Sequence, residues 1–191
     1  MNGQAITPPR GSERMCHGGP PPAPAIDHEE GTGMEEVDTV LEVEREFTYP
    51  RDVLFRAFTE PAAFSQWFAP TGWHVVPESV ELNPQLGGRI RHTKVRDDDP
   101  EKIWVVDGVY TEVFYPDVLV TRQRISGISG IDPSRPVELR VEFTRLGQGK
   151  TLLRIVQGPY TESAALDYSD GWESILDHLQ TYLESSKDNK R

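Results

Sequence analysis

A chain of 191 residues is long enough for one packed domain, but 36% hydrophobic content with 16 prolines and 16 glycines leaves part of it unable to repay the entropy of ordering. A formal net charge of -11 excludes a phosphate-backbone binder, because nucleic-acid affinity rests on Lys and Arg neutralising phosphates, and disfavours acidic membranes for the same reason. With Cys16 as the single cysteine, no signal-like apolar run and no stretch of about 18 apolar residues, a soluble cytoplasmic protein without disulfides, nucleic acid or membrane is expected.

Residues 1–37 hold Pro8, Pro9, Pro20, Pro21, Pro22 and Pro24 among scattered glycines and are read as a disordered tail, within which Met15 or Met34 is an alternative start. A folded domain is expected over 38–186, followed by a charged tail at 187–191. From Thr39, TVLEVEREF alternates, with Leu41, Val43 and Phe47 opposite Glu42, Glu44 and Glu46, as a half-buried strand does. Arg45 falls on the apolar side, where it either lines a cavity or snorkels out at an edge. Pro50 opens a short helix with Val53, Leu54, Ala57 and Phe58 as its stripe; Pro61 ends it, and a second short helix carries Phe64, Trp67 and Phe68.

Strands are predicted around 79–82 and at 89–95, joined by the turn chemistry of NPQLGG, with acidic DDDPE as a solvated hairpin tip. Further strands are predicted at 103–106, 109–114 and 118–125, the last two joined by Tyr115-Pro116-Asp117. SGISGIDPSRP, residues 126–136, is a flexible or specially shaped loop. VELRVEFTRL then alternates without error, and GQGK turns into the last strand, TLLRIVQ.

A linker at 158–169 leads to DGWESILDHLQTYL, where Trp172, Ile175, Leu176, Leu179 and Leu183 recur at helical steps of three and four. Asp170 and Glu173 have capping-box spacing, while Lys187, Lys190 and Arg191 suit the other end of the dipole. Such a helix cannot bury its stripe alone and must lie on the sheet.

The order strand, two short helices, about six strands and a long helix resembles the START-like helix-grip fold. The implied class is α+β: a curved antiparallel sheet of six or seven strands wrapped around a long C-terminal helix. FTYPRDVLFRAFTEPAAFSQWF, Gly87-Gly88, Gly108-x-Tyr110 with Glu112, YPDVLVT and DGWESILDHL are similar to the branch of that superfamily named for activators of the heat-shock-protein-90 ATPase. The resemblance covers roughly residues 39–183. Within the branch, SGISGIDPSRPVELRVEFTRLGQGKT followed by the last helix most resembles the self-sacrifice calicheamicin-resistance proteins of enediyne producers.

That resemblance implies a hydrophobic, polyketide-type ligand, an enediyne, held between sheet and helix. It also implies a glycine that surrenders an α-hydrogen to the drug diradical before the backbone is cut. The family's reactive glycine lies shortly before an Ile-Asp-Pro string, which makes Gly130 and Gly127 the candidates here ahead of Ile131-Asp132-Pro133. A glycyl radical is stabilised by its flanking amide donor and carbonyl acceptor, and no side chain obstructs approach.

From the residues alone, Trp67, Trp73, Trp104, Tyr110 and Phe114 are candidate pocket lining, with Arg45 as a polar group beside them, and Trp172 reads as structural. His74, His92 and His178 show no metal-ligand spacing, and no nucleophile elbow or phosphate loop is present, so no metal, cofactor or catalytic residue is assigned. Two alternatives remain beside single-turnover sequestration. One is a polyketide aromatase/cyclase-like enzyme using Arg45, Tyr110, His92 or Arg122 as acid/base groups; the other is a co-chaperone that binds a chaperone ATPase through its surface.

Overall fold

Period-two alternation decides the first element, β1 (Thr39–Phe47), where Leu41, Val43 and Phe47 are buried while Val40, Glu42, Glu44 and Glu46 face out. The computed structural model describes residues 39–128, 131–160 and 162–188, with 162–170 and 187–188 as backbone. The tail read at 1–37, the candidate Gly130 and residues 189–191 lie outside the described residues.

Two short helices follow, α1 (Arg51–Thr59) and α2 (Pro61–Trp67). Pro50 stands just before α1 rather than in its first turn, and Pro61 is the first residue of α2, a position where no N–H is missed. Leu54, Phe55, Ala57, Phe58, Ala63, Phe64 and Trp67 are their buried side chains. Phe58 meets Trp67 and Phe143 edge-on at centroid distances of 4.7 and 5.5 Å, and Phe64 stacks on Phe68 at 4.1 Å.

The remaining strands are β2 (Trp73–Val75), β3 (Glu81–Leu82), β4 (Arg89–Arg96), β5 (Ile103–Phe114), β6 (Val118–Ser126), β7 (Val137–Gly147) and β8 (Lys150–Tyr160). They form one antiparallel sheet in the order β1-β8-β7-β6-β5-β4-β2, with β3 also on β4. This is the expected curled sheet. The short β2 is an addition to the expected set, and the strand predicted at 79–82 shrinks to Glu81–Leu82 behind a 3₁₀ turn at Pro77–Ser79.

The two strands predicted at 103–106 and 109–114 are one. Asp107-Gly108 reads locally as a turn, but Gly108 has a ladder partner on each side, Ile90 and Gln123, and those neighbours hold it extended. A register shift between Tyr110 and Glu112 is the irregularity β5 does contain.

The last helix, α3 (Glu162–Asp188), is 27 residues long, so its start lies eight residues before Asp170. The linker predicted at 158–169 is instead the end of β8 and the first turns of α3, and Asp170 with Glu173 is helix interior rather than a capping box. Ala164, Ala165 and Leu166 are strong helix formers, and they extend the helix past the Asp-x-x-Glu signal. The predicted stripe stands: Trp172, Ile175, Leu176, Leu179 and Leu183 are all buried in the concave side of the sheet. α3 also continues to Asp188, past the predicted domain end at 186.

Arg45 takes the snorkelling alternative and is not a cavity residue. Its guanidinium donates to Asp177 Oδ1 at 2.6 Å and to the Glu173 carboxylate, tying β1 to α3. Both carboxylates are more than half exposed, at 54% and 72%, so solvent screens the pair. Arg45→Ala is therefore expected to lower stability by about 1 kcal/mol or less, read as a small shift in the urea midpoint. A loss several times larger would show the pair to be a principal anchor of α3.

Candidate functional site

Strand parity delivers polar groups to the inside of the sheet. In RIRHTKVR, β4 places His92 and Lys94 on the face of buried Ile90. In VLVTRQRI, β6 turns Thr121, Gln123 and Ile125 inward and exposes Arg122 and Arg124. In TLLRIVQ, β8 brings Gln157 in beside Leu153 and Ile155. The register makes Trp104 the direct neighbour of Lys94, and Val106 that of His92.

The α1 and α2 aromatics fill the core up to Phe68. Beyond it lies a cavity of about 470 Å³, roofed by the α3 residues Gly171, Trp172 and Ile175. Its floor is the inner face of β4, β5 and β6, and its volume falls within the range of small-molecule sites. Trp73 and Trp104 lie ring to ring at one wall, with centroids 4.2 Å apart and 31° between planes. Gly127 and Ile128, from the loop after β6, complete the lining.

Five polar side chains line this space: His92, Lys94, Lys102, Gln123 and Gln157. Trp172 Nε1 donates to Gln157 Oε1 at 2.8 Å, and Gln123 Nε2 donates to Thr121 Oγ1 at 2.7 Å. His92 is 1% exposed, and its Nδ1 has no hydrogen-bond partner among the described residues. Burial, and secondarily the neighbouring Lys94 charge, hold its imidazole well below the usual histidine range, so it is neutral near pH 7.

Lys94 Nζ lies 4.6 Å from the Phe68 centroid and 5.8 Å from that of Trp104. It forms no ion pair with any described carboxylate, and burial pulls it down to about 7.

The structure divides the predicted pocket residues. Trp73, Trp104 and Gly127 line the cavity. Trp67 is core, 1% exposed, its Nε1 donating to the Ala57 carbonyl at 3.1 Å. Tyr110 is likewise buried, beside a separate void of only about 20 Å³, and burial pushes its phenol up. Phe114 ends β5 and is 63% exposed, so it lines nothing. Arg45 is the ion-pair residue already described, and Arg122, the other arginine considered, points outward.

Trp172 is both structural, as read, and lining. Lys94, Gln123 and Gln157 were missed. The signal for them was available: each shares strand parity with apolar residues that the pattern already marked as inward.

A family model described as "Activator of Hsp90 ATPase homolog 1-like protein" matches residues 48–184. No curated protein sequence matches the chain. Among solved structures, an AHSA1 protein of Silicibacter pomeroyi aligns with a TM-score of 0.67 at 21% identity, over 78% of this chain and 99% of that one. A Chromobacterium violaceum protein aligns with 0.66 at 20% identity, over 74% and 94%. An Hsp90 activator of Plasmodium falciparum aligns with 0.54 at 18% identity, over 76% and 96%. Identities this low speak to fold alone. Among the described residues no helix is long and apolar enough to cross a membrane.

Proposed function

The chain belongs to the family of activator of Hsp90 ATPase homolog 1-like proteins, and from that premise we propose that it binds a hydrophobic small molecule in the cavity under α3. One observation carries this reading. A protein interior normally closes to voids smaller than a water molecule, yet this one keeps about 470 Å³ open, with an indole pair on one wall and oriented amides on another.

In its sharper form the ligand is a polyketide-derived enediyne and the chain a self-sacrifice resistance protein. What supports this is the resemblance of the 126–151 segment together with the position of Gly127 at the cavity. A carbon radical of the activated drug removes one α-hydrogen of Gly127, forming a C–H bond on the drug and leaving a glycyl radical. Dioxygen adds to that radical to give a peroxyl. The activating thiol donates a hydrogen atom and reduces the hydroperoxide to α-hydroxyglycine, with release of water and oxidation of the thiol to disulfide. The N–Cα bond then breaks to leave an amide on the N-terminal fragment and a glyoxylyl group on the C-terminal one. Proximity in the bound complex selects the donor.

The test uses protein grown on α,α-dideuteroglycine and thiol-activated calicheamicin in air, with intact-mass analysis of protein and drug. Deuterium in the drug and stoichiometric cleavage at residue 127 are expected; cleavage at 130 would move the donor to Gly130. An intact chain under conditions where DNA is cut would overturn the sharper form and leave the small-molecule reading.

A second reading has one observation behind it: a neutral His92 with an unpaired Nδ1 in the cavity is a proton-transfer group in position for aromatase/cyclase-like chemistry. Repeated turnover of a polyketide substrate would favour it over sequestration. For the co-chaperone alternative, the measurement is capture of purified Hsp90.

A further inference from the structure

The cavity inverts the sign of the chain. The protein carries 31 Asp and Glu against 20 Lys and Arg, yet no Asp or Glu is among the described cavity-lining residues, whereas His92, Lys94 and Lys102 are. Lys102 is largely exposed and pairs with Asp99 at 3.7 Å. Lys94 is different: 6% exposed, set between the rings of Phe68 and Trp104, with no described anion in reach. A buried cation without a protein counter-charge is costly, and ring faces replace only part of its hydration.

We propose that the cavity ligand supplies the counter-charge that no described residue gives: a planar, mainly apolar molecule with one acidic oxygen group, a carboxylate or phenolate, seated against Lys94 Nζ while its ring lies along the Trp73–Trp104 wall. This rests on the small-molecule reading above and not on its enediyne form. The unpaired His92 Nδ1, two residues away on the same strand face, gives the acidic group a second hydrogen-bonding partner. The two glutamines suit carbonyl or hydroxyl groups elsewhere on the same skeleton.

Binding of an acid to Lys94 is linked to pH. The other titratable groups lining the space are His92 on its own strand and Lys102 just before β5; β2, β6, β7, β8 and the described part of α3 present none among the lining residues. Below about pH 7 the ammonium is already present. Above it, an arriving carboxylate must draw a proton onto Lys94, so affinity falls as pH rises.

The experiment is a fluorescence titration with anthracene-2-carboxylate and with its uncharged amide, on wild type and Lys94→Met, at pH 6.5 and 8.5. The carboxylate should bind wild type about tenfold or more tightly than the amide at pH 6.5, as a charge-assisted contact does. That preference should shrink at pH 8.5. K94M should lose the preference and the pH dependence while keeping the amide.

Equal binding of the two probes to wild type, or K94M weakening both alike, would overturn the proposal and leave the cavity reading standing. Failure of both probes to bind would overturn the two together.

Discussion

Alanine at position 127 is expected to destabilise the fold by about 2–5 kcal/mol, well beyond the usual effect of a loop glycine. Gly127 sits at φ +88°, in the left-handed region, and a Cβ there would lie 1.9 Å from the Ile103 carbonyl oxygen. That oxygen is backbone at the start of β5 and cannot swing aside as a side chain can. Either the β6 end and its loop move off the cavity or the clash persists.

Gly149 is the control. It has a comparable φ of +69° and nothing within 4 Å of an added Cβ, so Gly149→Ala should cost only the conformational part, about 1 kcal/mol. Urea midpoints compare the two, and equal losses would remove the steric argument. The consequence for function is direct: a Gly127→Ala protein that no longer resists or binds a drug has lost structure as well as a hydrogen donor. Isotopic labelling, which leaves the backbone intact, is therefore the sounder test of hydrogen transfer.

The elements that could be read from the sequence were those with strong local period. β1, β7 and the stripe of α3 follow directly from alternation or from steps of three and four, and the helix-grip order follows from them. The errors arise where neighbours overrule local chemistry. Asp107-Gly108 is a turn signal cancelled by ladders on both sides, and Asp170 is a cap signal inside a helix that had already begun.

The site was half legible. Indoles draw attention, so Trp73 and Trp104 were found, but the same reasoning enrolled Trp67 and Tyr110, which are core, and Phe114, which is exposed. Residue type alone cannot tell a cavity wall from packed interior. A lysine or glutamine at an inward strand position is the sharper sign, because packing gives no reason for it. Lys94, Gln123 and Gln157 were missed for want of carrying the parity of β4, β6 and β8 through to their polar members.

Lys94→Met is expected to raise stability at neutral pH and to erase a pH dependence that the wild type shows. In the unfolded chain Lys94 keeps its ordinary value of 10.5, whereas in the fold burial holds it at about 7. Between those limits the unfolded state carries a proton that the native state has lost. Wild-type stability therefore rises with pH across the window, by up to about 1.4 kcal/mol per pH unit. Below about pH 7 both states are protonated, the slope vanishes, and the full cost of the buried ammonium is present, on the order of 5 kcal/mol at most.

Methionine fills a similar volume without charge and has no such slope. The gap between K94M and wild type should then be widest near pH 6.5 and close toward pH 9.5. That range stays clear of His92, which lowers stability as pH falls below 6.5, and of Tyr110, whose buried phenol lowers it above pH 10. Urea unfolding at half-unit intervals reads the gap. Parallel profiles would mean that Lys94 keeps its proton in the fold by way of a counter-charge other than a ligand, and the acidic-ligand proposal would go with them. A closing gap would show that the fold bears a destabilising cation on the cavity lining, where a bound acid can neutralise it.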